Sequence, residues 1–358
     1  MRILINISVI SVHHRGMGVF TKKLIKVLLL NNSHEYIFVS GNELDSEIAE
    51  SIKNTSHVYK QINTPLPIFE QVVMPFLISK YKPEVCWFPS NTFPLIMNSN
   101  VKYIATVHDL IFLKNSVKPT TLYQKIGKHY RGVNIALGVK KLDKITSVSY
   151  SALKDIHEYI GVNGKIKNDQ VLYNSVSGKS NEDGFIFEKL NLSHDCKYFY
   201  TISGLAPHKN LDFLIESFKV FSQKDSSYKL VISGASKSKS AGINKNIIFT
   251  PFVSEAEKTY LIRRASIFIF PSLLEGFGIP LLEGLYHNPN VLVSDIGIFR
   301  EVGKNYVSYF NPYDNEFLIK YFESEIKTES HEKAKKYILK TFNLEKTAKK
   351  LESIFDEF

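Results

Sequence analysis

Short apolar runs alternate with helical patterns along the whole chain. In the first half the apolar runs cover residues 2–9, 36–40, 84–89, 101–107, 144–149 and 170–173. In the second half they cover residues 197–203, 228–234, 246–250, 266–270, 290–294 and 306–310. Such an alternation is typical of βαβ units that build a parallel sheet. Because the rhythm occurs twice, the sequence predicts an α/β protein with two doubly wound, Rossmann-like halves.

A polar stretch separates the two rhythms and predicts a domain boundary. Residues 174–184 read NSVSGKSNEDG, a composition typical of a linker, so we expect domains at residues 1–180 and 181–339. The tail, about 340–358, has a helical composition, and the sequence leaves open whether it packs back on the first domain. Open parallel sheets bind ligands beyond the carboxyl ends of their strands. Two such sheets facing each other across a cleft would hold two substrates.

Composition excludes several other classes of protein. The 358 residues are 44% apolar, enough for ordinary cores, and the two cysteines, Cys86 and Cys196, have neither disulfide-scaffold nor zinc-ligand spacing. The apolar N-terminus is interpreted as a first strand rather than a secretion signal. The longest apolar stretches are too short to span a bilayer. The sequence therefore predicts a cytoplasmic protein without structural zinc.

The positive charge is concentrated in the first half of the chain. Of the net charge of +10, residues 1–178 contribute 21 basic against 12 acidic side chains, and residues 101–144 contribute 9 against 2. The basic residues of this segment include Lys114, Lys118, Lys125, Lys128, Arg131, Lys140, Lys141 and Lys144, interleaved with Leu110, Phe112, Leu113, Tyr123 and Tyr130. The field would attract phosphates of an anionic membrane or of nucleic acid, and a solvated helix face is the alternative.

The segment 270–285, FPSLLEGFGIPLLEGL, is the most informative about chemistry. A strand end is followed by a loop with two glycines, and Pro280 suits the first turn of a helix because it lacks an N–H group. Backbone amides from Gly276 to Ile279 at a helix N-terminus would cradle a diphosphate. Glu275 and Glu283 flank them, and a carboxylate accepts hydrogen bonds from paired hydroxyls. The pattern favours a nucleotide sugar as ligand.

This segment resembles the retaining glycosyltransferases of family 4, which have the GT-B fold and two glutamates separated by seven residues, as in EGFGIPLLE. The resemblance implies that Glu275 contacts hydroxyls of the donor sugar and that Glu283 contacts those of the ribose. It also implies that amides around Phe277 and Gly278 lie close to the sugar phosphate.

A second match, residues 202–218 (ISGLAPHKNLDFLIESF), looks like the strand, loop and helix that bring a cation to the diphosphate in this family. Lys209 fits that role, because a cation stabilises the charge that builds on the leaving group. Many members have an arginine where this chain has Gly204. His208, or Arg263 and Arg264, are the candidates to replace it.

Three further matches extend the resemblance over essentially the whole chain. Gly16 and Gly18, in HHRGMG, resemble an N-terminal glycine loop that reaches the donor phosphates. His108 and Asp109, in TVHDLIF, resemble a pair whose histidine hydrogen-bonds the donor sugar. Glu301, in SDIGIFREVG, takes the place of a glutamate often present there, although Phe299 and Arg300 depart from the pattern.

The implied reaction is transfer of a hexose from a nucleoside diphosphate to a saccharide acceptor with retention of configuration. GDP-mannose is the first candidate donor, and a lipid-linked saccharide of O-antigen or capsule synthesis, reached from the inner face of the membrane, is the candidate acceptor. No Asp-x-Asp triplet occurs, so we expect neither a metal nor a cofactor. A GT-B isomerase or phosphorylase is the nearest alternative. A nucleic-acid-binding protein would leave EGFGIPLLE unexplained, so no nucleic acid is expected as a partner.

Overall fold

The structure is a computed structural model that describes residues 1–11, 16–31, 33–114, 121–161, 170–176, 182–235, 242, 244–250, 253–324 and 331–358. The chain divides into two compact units, unit 1 (Met1–Ser175 and Phe342–Phe358) and unit 2 (Val176–Thr341). The sequence placed the first boundary at residue 180, which lies outside the described residues, as do residues 177–181 of the expected linker.

In the part of unit 1 that is described, seven parallel strands form one sheet in the order β3-β2-β1-β4-β5-β6-β7. The strands are β1 (Arg2–Asn6), β2 (Glu35–Ser40), β3 (Val58–Gln61), β4 (Val85–Phe88), β5 (Lys102–Val107), β6 (Lys144–Ser147) and β7 (Gln170–Val171). The helices are α1 (Gly16–Asn31), α2 (Ser46–Lys53), α3 (Leu66–Ile68), α4 (Met74–Tyr81), α5 (Leu122–Gly138) and α6 (Tyr150–Ile160), and a π-helical segment, Phe69–Val73, joins α3 to α4.

In the described part of unit 2, six parallel strands form a sheet in the order β10-β9-β8-β11-β12-β13. They are β8 (Lys197–Ile202), β9 (Tyr228–Ser233), β10 (Ile247–Thr250), β11 (Ile267–Phe270), β12 (Val291–Ser294) and β13 (Ser308–Phe310). The helices of this unit are α7 (Ile186–Lys189), α8 (Leu211–Lys224), α9 (Glu255–Arg264), α10 (Ile279–His287), α11 (Gly297–Gly303), α12 (Asn315–Glu323) and α13 (His331–Thr341). The last helix of the chain, α14 (Leu344–Phe355), belongs to unit 1.

Continuous apolar strands explain both sheets. In β11 all four residues are buried, as expected where helices cover both faces of a parallel sheet. Every apolar run predicted from the sequence coincides with a strand, and β3 is the strand that the pattern missed. Its sequence, VYKQ, is polar and only partly buried, because β3 lies at the edge of the sheet. Among the described residues no helix is long and apolar enough to cross a bilayer.

The C-terminal helix α14 packs on unit 1, a question that the sequence left open. The side chain of Glu352 accepts hydrogen bonds from Asn31 at 3.0 Å and from Ser33 at 2.9 Å. The Phe355 ring meets the buried Trp87 with 6.0 Å between ring centroids. The fold of unit 1 is therefore completed by the end of the chain.

Candidate functional site

The strand order of unit 2 locates its ligand-binding edge. From β8 the chain first builds β9 and β10 on one side and then returns to build β11, β12 and β13 on the other. The connections change direction between β8 and β11, and ligands of open α/β sheets bind beyond the carboxyl ends of the strands at such a point. The loops that follow β8 and β11 carry the two best sequence matches, residues 202–218 and 270–285.

An ion pair connects these two loops. Lys209 Nζ lies 2.6 Å from Glu275 Oε1, and the two side chains are 27% and 12% exposed. The backbone holds the loops in register, because Leu273 N donates to His208 O at 2.8 Å. A sugar hydroxyl and a phosphate are neighbours in a nucleotide sugar. The structure thus brings together the carboxylate that is expected to bind the sugar hydroxyl and the amine that is expected to bind the phosphate.

Helix α10 begins at this edge with the predicted local geometry. Gly278 caps it with a positive φ of 91°, and Pro280 lies in its first turn. A Cβ atom on Gly278 would lie 3.0 Å from Phe299 Cε1, so both backbone conformation and space favour glycine here. Phe277 is buried, so its ring packs in the interior rather than facing a ligand. The positive end of the helix dipole suits an anion at this position.

Glu283 projects from α10 and is paired with a lysine that the sequence analysis missed. Lys258 Nζ of α9 lies 2.8 Å from Glu283 Oε1 and 2.8 Å from Glu255 Oε1. Burial alone would lower the pKa of Lys258, but the two carboxylates outweigh burial and the pKa is raised. The signal in the sequence was the position of Lys258, three residues before the apolar Leu261 in the same predicted helix.

The residues considered as a second cation at Lys209 have other roles in the structure. Burial and the charge of Lys209 lower the pKa of His208, so this imidazole is neutral at pH 7. Arg263 pairs with Glu182, and Arg264 donates to His194 O at 3.0 Å. A Cβ atom on Gly204 would meet no heavy atom within 4 Å.

In unit 1, Gly16 and Gly18 occupy the first turn of α1 instead of a loop. The preceding residues 12–15 lie outside the described part of the chain. Gly16 is exposed, with open space around its Cα, whereas Gly18 is buried. Gly18 lies three residues before the buried Thr21 and seven before the buried Ile25, so the buried face of the helix already starts at the glycines.

His108 lies directly after β5 and is 5% exposed. Its Nε2 lies 3.3 Å from Pro89 O and its ring meets Phe20 edge-on. Burial lowers the pKa of His108 to about 4, so the side chain is neutral at pH 7. Because a carbonyl oxygen only accepts, this contact assigns the hydrogen to Nε2 and leaves Nδ1 as an acceptor for a hydroxyl.

Asn91, which the sequence analysis did not single out, fixes the backbone around His108. Its Oδ1 accepts from His108 N at 2.7 Å, and its Nδ2 donates to Asp109 O at 3.0 Å. Asp109 Oδ1 accepts from Ile111 N at 3.0 Å, so this carboxylate caps the short turn that follows. The remaining candidate, Glu301, lies in α11, where its charge adds to burial in raising the pKa of Tyr337 to about 12.

A buried carboxylate lies beneath the loop that contains Asn91. Glu70, within the π-helical segment, is fully buried and accepts from Thr92 Oγ1 at 2.7 Å and from Tyr130 OH at 2.6 Å. Gln71 Nε2 donates to the same Tyr130 OH at 2.8 Å. Burial raises the pKa of Glu70 to about 7. The network holds the loop after β4 against α5.

The basic segment 101–144 is only partly a charged surface. Lys144 is 1% exposed and pairs with Glu357, and Lys114 pairs with Asp155 at 3.0 Å. Lys118 lies outside the described residues. Leu110 and Phe112 are buried in the core, so their expected place between the charges on the surface was wrong. Among the described residues of the segment, most of the exposed side chains lie on α5 and on the turn that follows it.

Across the described residues no cluster of three or more histidine, cysteine or acidic side chains could hold a metal ion.

Comparison with known proteins defines the class. The structure aligns over 100% of this chain and 100% of Anabaena HepE, solved in complex with UDP and glucose, with a TM-score of 0.71 at 13% identity. Together with the two doubly wound sheets, this likeness shows the GT-B fold.

The sequence comparison then matches the second half of the chain to a known family. Residues 182–351 match the profile described as glycosyl transferases group 1.

Two curated relatives are mannosyltransferases. The O-antigen chain mannosyltransferase RfbU of Salmonella typhimurium is 30% identical over 233 residues, which cover 63% of this chain and 60% of that protein. The serotype-specific mannosyltransferase WbdA of Escherichia coli is 26% identical over 234 residues, covering 60% of this chain and 28% of that protein. The chain therefore spans less than two thirds of the length of each.

Proposed function

We propose that this protein is a retaining glycosyltransferase that moves a mannosyl group from GDP-mannose to a saccharide acceptor. The ion pair between Lys209 and Glu275 carries the proposal, because a cation suited to a phosphate and a carboxylate suited to hydroxyls lie together at the switch point of unit 2. The names of RfbU and WbdA support mannose as the sugar, and the UDP bound to HepE supports a nucleoside diphosphate donor.

In the proposed reaction the bond between the sugar and the diphosphate breaks while Lys209 and the N-terminus of α10 stabilise the leaving diphosphate. Glu275 and Glu283 accept hydrogen bonds from hydroxyls of the sugar and of the ribose. The departing phosphate oxygen takes the proton of the acceptor hydroxyl, so no side chain is required as a base. The reaction then proceeds on one face of the sugar and without a metal or other cofactor.

We propose that unit 1 binds the acceptor, a saccharide of O-antigen or capsule synthesis carried on a lipid. The O-antigen function in the name of RfbU supports this choice.

A donor panel tests the proposal. Calorimetric titration with GDP-mannose, GDP-fucose, UDP-glucose and dTDP-rhamnose should give tight binding for GDP-mannose, with or without EDTA. Nuclear magnetic resonance of the product should show the anomeric configuration of the donor. An enzyme that converts labelled donor without enlarging an acceptor would instead be an isomerase or phosphorylase, and failure to bind any donor would refute the proposal.

We further propose that the protein docks on the anionic inner face of the membrane through unit 1. The helical segment 66–81 and α5 lie side by side, joined by the hydrogen bonds from Tyr130 to Glu70 and from Gln71 to Tyr130. Both carry apolar side chains at helical spacing that are at least half exposed: Ile68, Val72 and Phe76 on one, and Leu122, Ile126 and Leu137 on the other. Lys125, Lys128 and Arg131 on α5 supply the charge that attracts anionic lipids.

Sedimentation with vesicles tests the docking surface. The protein should bind vesicles of phosphatidylglycerol and phosphatidylethanolamine at physiological salt, and Phe76→Asp combined with Ile126→Asp should abolish binding. Val220→Asp, a change at an exposed apolar residue of unit 2, serves as the matched control. Equal binding by the double variant and this control would refute the surface.

A further inference from the structure

Each carboxylate assigned to the donor has a lysine partner in the structure. Glu275 pairs with Lys209, and Glu283 pairs with Lys258. Without such partners, two carboxylates at a site for a diphosphate would repel the ligand. Lys209 has a proposed role at the diphosphate, whereas no role has yet been given to Lys258.

The surroundings of Lys258 set it apart from a surface lysine. Its side chain is 16% exposed and that of Glu283 is 15% exposed, whereas Glu255, its other partner, is 75% exposed. Removing an ammonium group from water is costly unless carboxylates compensate for it. The pair between Lys258 and Glu283 is thus the desolvated part of this cluster, and the contact to Glu255 is its solvated edge.

We propose that Lys258 is a positioning residue that holds Glu283 in the orientation of an acceptor for the two ribose hydroxyls, and so sets a preference for ribonucleotides over 2′-deoxyribonucleotides. This inference rests on the proposed function, since it presumes that Glu283 meets the ribose of the donor.

The preference follows from what an ionised carboxylate can do. It only accepts hydrogen bonds, and the contact of Lys258 with Oε1 fixes the orientation in which Glu283 presents its oxygens to two neighbouring hydroxyls. A 2′-deoxyribose leaves one of these hydrogen bonds unmade next to a partly buried charge. Losing a hydrogen bond to a charged group weakens binding by about tenfold or more. Without Lys258, Glu283 is no longer held in that orientation and distinguishes the two sugars less.

Nucleotide binding by defined variants tests the inference. The probes are GDP, UDP and their 2′-deoxy counterparts, titrated by calorimetry at pH 7. The wild-type protein should bind the better ribonucleotide at least about tenfold more tightly than its deoxy counterpart. Lys258→Met should weaken the ribonucleotide about tenfold and change the deoxyribonucleotide little.

Three variants control the experiment. Lys258→Arg keeps the charge and should restore most of the preference. Lys189→Met removes another ion pair of α9, the one with Glu257, and should leave nucleotide binding unchanged. Lys258→Gln replaces Lys258→Met if the latter does not fold.

The outcomes separate this inference from the proposed function. A wild-type protein that binds neither GDP nor UDP refutes the proposed function. If the wild-type protein binds them and Lys258→Met is unchanged, or is weakened equally for both sugars, the role of Lys258 alone is refuted.

Discussion

Replacing Lys209 with methionine separates the proposed role of this lysine at a leaving diphosphate from its role in stability. The change preserves most of the volume of the side chain but removes the charge 2.6 Å from Glu275 Oε1. In the variant, Glu275 lacks that cation, and its negative charge would repel a donor diphosphate bound as we propose. Both effects should weaken the interaction of the protein with that donor.

The expected loss of stability and the expected loss of activity differ enough to be distinguished. Exposed ion pairs contribute about 0–1 kcal/mol and breaking a buried pair costs about 3–5 kcal/mol. With side chains 27% and 12% exposed, this pair lies between those cases, so the free energy of unfolding should fall by about 2 kcal/mol. Loss of one preorganised group at a developing charge lowers kcat by about 100- to 1,000-fold.

Lys224 provides a matched control in the same unit. Its Nζ also lies 2.6 Å from a carboxylate, that of Glu323, but both side chains are more exposed. We expect Lys224→Met to retain activity and to lose at most about 1 kcal/mol of stability. Release of GDP from GDP-mannose measures kcat, and urea denaturation measures the free energy of unfolding. If Lys209→Met retained activity within a few-fold of Lys224→Met, the cation would have no role in leaving-group stabilisation.

Two further predictions concern single sites. Because the pKa of Glu70 is raised to about 7 in the folded protein, its protonation favours folding at low pH. This contribution to the free energy of unfolding falls by about 3 kcal/mol as the pH rises from about 4.5 to about 7. Urea denaturation at pH 5 and pH 8 should show that Glu70→Gln removes this part of the dependence of stability on pH, and an identical dependence in the variant and the wild type would contradict the assignment. Gly278→Ala should lower the free energy of unfolding by about 1–2 kcal/mol, because Gly278 has a positive φ and Phe299 lies close to the position of the added Cβ atom. Gly204→Ala should leave the free energy of unfolding unchanged, and equal melting temperatures for the two variants would contradict the strain at Gly278.

The apolar runs of the sequence predicted the strands, because a strand that is covered by helices on both faces consists mostly of apolar residues. Among the described strands, only β3 was not predicted, because an edge strand such as VYKQ needs no continuous apolar pattern. The sequence also predicted the local structure at the start of α10. The glycine, the proline and the two glutamates lie within one short segment, where sequence spacing is nearly spatial spacing.

Partners distant in sequence depended on the tertiary structure. Lys209 and Glu275 are 66 residues apart, and strand order alone makes their loops neighbours. Lys258 meets Glu283 because α9 packs on α10, a contact that no local pattern encodes.

The charges of the first half show the same division between sequence and structure. Composition determined that this half is basic, but only packing decided that Lys144 lies buried against Glu357 while Lys125 stays exposed. The physical reason is that periodicity reports which face of an element is apolar. Which side chain meets that face depends on how separate elements come together.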